Sequence, residues 1–325
     1  MTDSVGSIKS ERLGKGDIMR GTKDRTAYYE FVQAVHGFPP TARDGKPATQ
    51  IFQDSYASLS KLADLKEPEF PRAIAWKAYA LALSVYEGWP LPPNAAEASL
   101  KPDDKLALAD TLASHAIGLD DTDYDLHWAM ADVHLIRGRF GPAMDEFQEA
   151  LDLNRDERHP SLFAEAAAAA MQAGDFDKAQ SYFRKAAQGP DWHHWMKGIL
   201  LFLKAGRSGA ERETFLNLAL DELKRTRAQL GDDFYQLEIQ LVLAAVHWRK
   251  WELLTANAAG MPAGGARNQI AQYAARNLAA AKRAIDAFRA TFGYWNAGQS
   301  ITALSLAAGA DATYWRDTMT EVWKL

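Results

Sequence analysis

Apolar residues recur along the chain at the spacing of amphipathic helices. Between Phe70 and Glu87, for example, the large residues Trp76, Tyr79 and Leu83 lie three or four positions apart, which places them on one face of a helix. No stretch shows the sustained apolar–polar alternation, rich in β-branched side chains, that indicates a strand. The frequent alanine and leucine residues favour helix throughout. The pattern therefore predicts an all-α protein.

Two neighbouring segments of the chain repeat each other. The first contains Gly138, Phe140, Ala143, Phe147 and Ala150, and each of these residues recurs 36 positions later, as Gly174, Phe176, Ala179, Phe183 and Ala186. Alanine at fixed positions lets two helices approach closely, while phenylalanine fills the space beside them. Glycine tolerates the positive φ with which a helix commonly ends. The repetition predicts helix–turn–helix units.

Looser copies of the same pattern flank these two segments. We expect six helix pairs, at residues 26–68, 70–119, 124–155, 160–190, 192–230 and 232–291, followed by two closing helices at 294–325. Residues 1–25 are polar, contain no apolar run of a secretory signal, and are expected to form a flexible leader. A proline-rich segment at residues 88–102, here called the insertion, interrupts the second pair. Long insertions in compact repeats are often functional.

The small residues at fixed positions resemble the tetratricopeptide-repeat family, which has small residues at repeat positions 8, 20 and 27. Position 4, usually aromatic, is Phe163 in one repeat but His127 in the other. The segment Pro190-Asp-Trp-His-His-Trp195 and the ending with Phe292-Gly-Tyr-Trp295 resemble the repeat regions attached to bacterial class III adenylate/guanylate cyclases and related regulators. The resemblance implies a single right-handed superhelical solenoid with a C-terminal cap, freestanding and without catalysis of its own.

Composition excludes several kinds of function. The formal net charge of −5 argues against non-specific nucleic-acid binding, which requires a concentrated basic surface. The chain has no cysteine, which excludes disulfides, thiolate metal sites and cysteine nucleophiles. The longest apolar stretches are far shorter than the ~20 residues of a membrane span. We therefore expect a cytoplasmic protein without a membrane span or a nucleic-acid partner.

Candidate chemistry is sparse. His127 and His134 fall at repeat positions that pack inside the repeat, so packing is a more natural role for them than metal binding. His193 and His194 are adjacent and point in different directions on a helix. The acidic residues between Asp121 and Asp125 lack the glycine and glutamate of a calcium loop, and Asp123 or Asp125 is expected to cap a helix. No phosphate-binding or nucleophile motif occurs. We expect no catalytic residue, metal or cofactor.

The resemblance also implies where a partner would bind. In the family, positions 2, 5, 9, 12 and 13 of the first helix in each pair line a concave groove. The candidate lining residues are Lys77, Leu81, Trp128, Asp132, Leu135, Ile136, Met171, Gln172, Met196 and Leu200. This lining is largely apolar and fits an amphipathic helix or a hydrophobic peptide. Trp89 and Leu91 of the insertion form a second candidate site, because aromatic anchors are typical of binding hot spots; the alternative is that the insertion folds back over the core.

Three functions are compatible with this pattern. The first is a non-catalytic scaffold or adaptor that binds another protein or peptide in the groove. The second is a small-ligand-sensing regulator with an apolar groove, and the third is an enzyme or the subunit of an enzyme complex. The groove could also be filled by the N-terminal segment of the protein or by self-association.

Overall fold

The computed structural model describes residues 22, 24–36, 45–65, 69–154, 159–186, 192–229, 235–291 and 312–325. These residues form thirteen α-helices and no strand, which confirms the all-α prediction. The helices are α1 Arg25–Val35, α2 Ala48–Ala63, α3 Pro71–Tyr86, α4 Pro102–Leu119, α5 Tyr124–Ile136, α6 Phe140–Leu153, α7 Pro160–Gln172, α8 Phe176–Lys185, α9 Trp192–Arg207, α10 Arg212–Gln229, α11 Tyr235–Ala259, α12 Gly265–Thr291 and α13 Ala312–Val322. A short 3-10 helix, Ala96–Ser99, lies within the insertion. None of the described helices is long and apolar enough to cross a membrane.

The chain folds into two compact units, residues 1–157 and 158–325. The first unit holds α1 to α6 and the second holds α7 to α13. The single continuous solenoid stays a prediction, as do its handedness and its number of repeats. The expected leader lies almost wholly outside the described residues. Of the two expected closing helices, α13 is described, and residues 292–311 lie outside the described part of the chain.

In the first unit each helix packs against its neighbours in the chain. Helix α3 contacts α2, α4 and α5, and α5 contacts α4 and α6. The core is built around Phe52, Tyr56, Phe70 and Leu81, all with no exposed surface. Helices α3 and α4 each begin with a proline at a first-turn position, where the missing N–H costs no hydrogen bond. Helix α3 therefore lies at the centre of this unit.

In the second unit α7 packs against α8, α9 against α10, and α11 against α12, while α13 packs mainly against α11. Alanine dominates the buried face of α7, where Ala164 and all residues from Ala166 to Ala170 are buried. Short side chains let the neighbouring backbones approach closely. Helix α9 runs through both Gly198 and Gly206 without interruption.

Two turns between helices adopt the glycine conformation expected from the sequence. Gly138, after α5, has a φ of 71°, and Gly174, after α7, has a φ of 80°. The next backbone N–H, that of Arg139 or Asp175, donates to a carbonyl five residues earlier, His134 or Ala170, over 2.9 Å in each case. Such a closure satisfies carbonyls that the helix end leaves free. The glycine prediction is confirmed at both positions.

This geometry predicts different effects for two neighbouring Gly→Ala substitutions. Gly138→Ala is expected to lower the free energy of unfolding by about 1 kcal/mol, because a Cβ disfavours positive φ. Gly141→Ala, inside α6 with nothing within 4 Å of the new Cβ, is expected to be neutral or stabilising, because alanine favours helix. Urea denaturation of both variants checks this, and equal destabilisation would contradict the glycine turn.

Candidate functional site

The structure buries most of the residues predicted to line a partner-binding groove. Seven of the ten are less than one-tenth exposed: Lys77, Leu81, Trp128, Asp132, Met171, Met196 and Leu200. The other three, Leu135, Ile136 and Gln172, are half-buried. None of the ten is exposed, because other parts of the protein cover them. Their role in binding a partner stays a prediction.

The insertion supplies part of this cover in the first unit. Glu97, on the 3-10 helix, accepts a hydrogen bond from the Lys77 ammonium group, with 2.8 Å between the nitrogen and a carboxylate oxygen. Both side chains are nearly buried, at 9% and 12% exposure. Burial opposes the ionisation of Glu97, but the bond and charge of Lys77, a backbone hydrogen bond and a bond from Tyr56 together outweigh it and lower the pKa of the carboxyl. Lys77 is therefore already engaged by a carboxylate.

The other end of the insertion is held by apolar contacts. Leu91 is 5% exposed and belongs to the core of the first unit. The Trp89 ring meets Phe52 edge-on with 5.1 Å between ring centroids. The Gln53 side chain donates to the backbone carbonyl of Pro90 over 3.2 Å. Trp89 and Leu91 thus pack inward and do not project from the surface as binding anchors. This is the alternative in which the insertion folds back over the core.

A buried ion cluster fixes the start of α5. Asp123 caps the helix by accepting from the N–H of Asp125, which confirms the expected cap. The Arg72 guanidinium donates to both oxygens of Asp123, over 2.6 and 3.0 Å, and lies 3.2 Å from Asp125. Arg72 was not predicted as a site residue, because nothing in the local sequence pattern links it to a residue 51 positions away.

His127 is a buried imidazolium. Its Nδ1 lies 2.7 Å from a Glu146 carboxylate oxygen and its Nε2 lies 3.0 Å from the Asp121 carbonyl. Both partners are acceptors, so both ring nitrogens donate. Burial opposes this charge, but the bonds to Glu146 and Asp121 outweigh it and raise the pKa of His127. The ring is thus fully occupied by protein groups.

The pKa of His134 is shifted in the opposite direction to that of His127. Burial lowers the pKa of its imidazole, and the nearby positive charge of Arg139 acts in the same direction. Its Nδ1 lies 3.9 Å from an Asp110 oxygen, and that carboxylate also accepts from Arg137 and Arg139. The two buried histidines therefore have different neighbours and share no ligand. Within the described residues no group of three or more histidine, aspartate or glutamate side chains has the arrangement of a metal site.

In the second unit, His194 lies in the first turn of α9 and reaches α10. Its Nδ1 is 2.7 Å from a Glu222 carboxylate oxygen, and the Lys197 ammonium donates to the other oxygen over 2.6 Å. Burial opposes ionisation of Glu222, but the bonds from Lys197 and His194 outweigh it and lower the pKa of the carboxyl. Glu222 was not predicted as a site residue, because it is one of several carboxylates on a charged helix, and only the fold shows that it is buried.

A shallow cleft of about 260 Å³ opens beside the turn after α7. The Arg207 guanidinium lies over the Phe176 ring, 3.9 Å from its centroid, and donates to the Gly174 carbonyl. Lys204, also in the cleft wall, donates to Gln180 over 2.7 Å. These cations are engaged with protein groups, and the carboxylates of Asp175 and Asp177 also line the cleft.

No protein-family model matches this chain, and no curated protein matches it either.

The His127 site predicts a pH dependence of stability. Because folding raises the pKa of His127, its contribution is complete below the unfolded-state pKa and is lost as the pH rises through the folded-state pKa. We expect the stability difference between wild type and His127→Gln to shrink as the pH rises from 6 to 9. Urea denaturation across this range measures it.

His115→Gln provides the matched control, because the His115 side chain is half exposed. This variant is expected to follow the wild-type profile, whereas Glu146→Gln is expected to resemble His127→Gln. A constant difference between wild type and His127→Gln across the pH range would show that no proton is held there.

Proposed function

We propose that this protein is a non-catalytic interaction scaffold of tetratricopeptide-repeat type, whose partner is a peptide that replaces the insertion over α3. The observation that carries the proposal is the Lys77–Glu97 pair. The insertion, which lies outside the repeat pattern, places the Glu97 carboxylate against Lys77. The family resemblance assigns Lys77 to the groove. The insertion thus occupies the position that the resemblance gives to a partner.

The contacts of the insertion describe the chemistry of such a partner. Glu97 shows that a carboxylate fits against Lys77, and Leu91 shows that a branched apolar side chain fits into the neighbouring core. The Trp89–Phe52 contact adds an aromatic position. A partner with an acidic residue and spaced apolar residues would reproduce these contacts, as helices and extended peptides do in grooves of other proteins.

A peptide can replace the insertion because separate contacts at its two ends, and not one continuous interface, bind it to the core. Its first residues are held by apolar packing, and its 3-10 helix is held by the Lys77–Glu97 pair and by Ala98, which packs against the core. The residues between, Pro93 and Asn94, are exposed. A buried ion pair contributes little net stability, since desolvation offsets much of the attraction. A partner carboxylate that takes the place of Glu97 would keep Lys77 paired throughout.

The test compares capture of partners from a native lysate by wild type and by Glu97→Gln. The substitution weakens the hold of the insertion on Lys77, so a partner that binds there is expected to be recovered in larger amount. Cross-linking mass spectrometry is expected to map that partner to α3 and the insertion. Lys77→Met, which removes the cation, is expected to lose the same partner.

Asp104→Asn is the matched control. This substitution also removes one negative charge, but from the exposed first turn of α4. Thermal melts verify that each variant is folded. A partner recovered equally with all four proteins, or cross-linked away from α3, would contradict a groove filled by the insertion.

A further inference from the structure

Helices α11 and α12 form an antiparallel hairpin, joined at residues 260–264. His247 of α11 and Asn277 of α12 hold the two helices side by side, with 2.9 Å between the imidazole Nδ1 and the amide oxygen. Helix α13 packs against the base of the hairpin, where Arg249 donates to the Thr318 hydroxyl over 2.7 Å. The base is therefore anchored to the rest of the second unit.

The outer part of the hairpin is largely exposed. Among residues 251–280 only Ala258 and Ala274 are buried, whereas the base of α12 buries Ile285 and Phe288. Helix α12 packs mainly against α11, so one side of it is covered and the other side faces solvent. A face of this helix is therefore available to another molecule, and the scaffold function proposed above does not use it.

The hairpin carries positive charge without negative charge. The sequence from 253 to 285 contains no aspartate or glutamate. It contains four basic residues, all on α12 and all exposed: Arg267, Arg276, Lys282 and Arg283. None of the four forms an ion pair within the described residues. The hairpin is thus locally basic on a chain whose formal net charge is −5.

The acidic residues that border this stretch are close to other cations. Glu252 accepts a hydrogen bond from the Arg249 guanidinium over 2.7 Å. Asp286 lies 3.9 Å from the Arg289 guanidinium. Both arginines lie nearer the base of the hairpin than their partners do. Neither carboxylate forms an ion pair with the four basic residues of the hairpin, which keep their full positive charge.

A line of exposed side chains runs along the open face of α12. Residues three or four positions apart are neighbours on one face of a helix, and the exposed residues that follow this spacing are Gln269, Gln272, Arg276, Ala279 and Arg283. At a rise of 1.5 Å per residue the line is about 21 Å long. Beside it, the Arg276 guanidinium lies 5.5 Å from the centre of the Tyr273 ring, and Tyr273 is 59% exposed.

The composition of this line distinguishes between classes of partner. The core of a protein–protein interface is depleted in charged residues, and a helix that lies on a membrane buries an apolar face. The line offers no large apolar side chain, because the nearby Ile270 and Leu278 lie on the side of α12 towards α11 and are half-buried. Protein–DNA interfaces, in contrast, are polar and strongly positive. Arginine and glutamine are also the side chains that bind guanine and adenine in the major groove.

We propose that the exposed face of α12 binds double-stranded DNA, with the helix in the major groove. This groove is about 12 Å wide and admits one α-helix. The cations neutralise phosphates, and Gln269 and Gln272 lie where they meet the edges of base pairs. The expected absence of a nucleic-acid partner follows from the net charge of the whole chain and does not apply to a locally basic surface.

Fluorescence anisotropy of a labelled DNA duplex of about 24 base pairs, titrated with the full chain at pH 7.5, tests the proposal. At low salt we expect saturable binding with a dissociation constant of about 10⁻⁴ M or tighter. Each neutralised phosphate changes the slope of log K against log salt by about −0.9, so four cations give a slope of about −3 to −4. Duplex RNA is expected to bind more weakly, because its major groove is too narrow for side chains to read.

The chain offers a matched pair of variants. Arg276→Gln with Arg283→Gln removes two cations of the line, and glutamine retains the helix propensity of arginine. Arg184→Gln with Arg225→Gln removes two exposed arginines from α8 and α10 of the same unit. The first pair is expected to weaken binding at least tenfold at low salt and to reduce the magnitude of the salt slope by about 2. The second pair is expected to leave both unchanged.

Circular dichroism verifies that each variant is folded. If the first double variant does not fold, Arg283→Gln alone is expected to reduce the magnitude of the salt slope by about 1. The proposal is overturned by the absence of saturable duplex binding at low salt, or by equal weakening in both variant pairs, which indicates general charge attraction. It is also overturned if single-stranded DNA or duplex RNA binds as tightly as duplex DNA. Sedimentation with phosphatidylglycerol vesicles without duplex binding would assign the face to a lipid surface instead.

Discussion

The close approach of neighbouring helices is the constraint on which the rest of the structure depends. Every residue of α5 from Leu126 to His134 is buried, and α7 is buried from Ala166 to Met171. A helix covered on all sides has no face on which a charged or bulky side chain meets solvent. Alanine meets this constraint in α7 from Ala166 to Ala170, because it fills little volume and loses no side-chain entropy in a helix.

A buried polar residue on such a helix needs a polar partner elsewhere in the protein, since an unpaired polar group in a core is costly. Lys77 pairs with Glu97 of the insertion, and His127 hydrogen-bonds to Glu146 and to the Asp121 carbonyl. Arg72 pairs with Asp123, which also caps α5. Each pair joins two elements at a defined point, so the pairs fix how the helices lie against one another more than they add to net stability.

Local features of the fold were predictable from the sequence because their causes are local. Helix periodicity predicted the helices, and Gly138 and Gly174 predicted the turns. The candidate site was not predictable in the same way. Whether Lys77 faces a groove or a buried carboxylate depends on the path of the insertion, which has no periodicity. The partner of Arg72 lies 51 residues away, and no spacing rule reaches that far.

The same reasoning describes how a partner would reach Lys77 in the proposed function. The Lys77 side chain is 9% exposed and is paired with Glu97, and a buried charge that loses its partner is costly. A peptide that displaces Glu97 would therefore have to bring a carboxylate of its own. Binding at this surface would then be an exchange of one carboxylate for another, governed by displacement of the insertion.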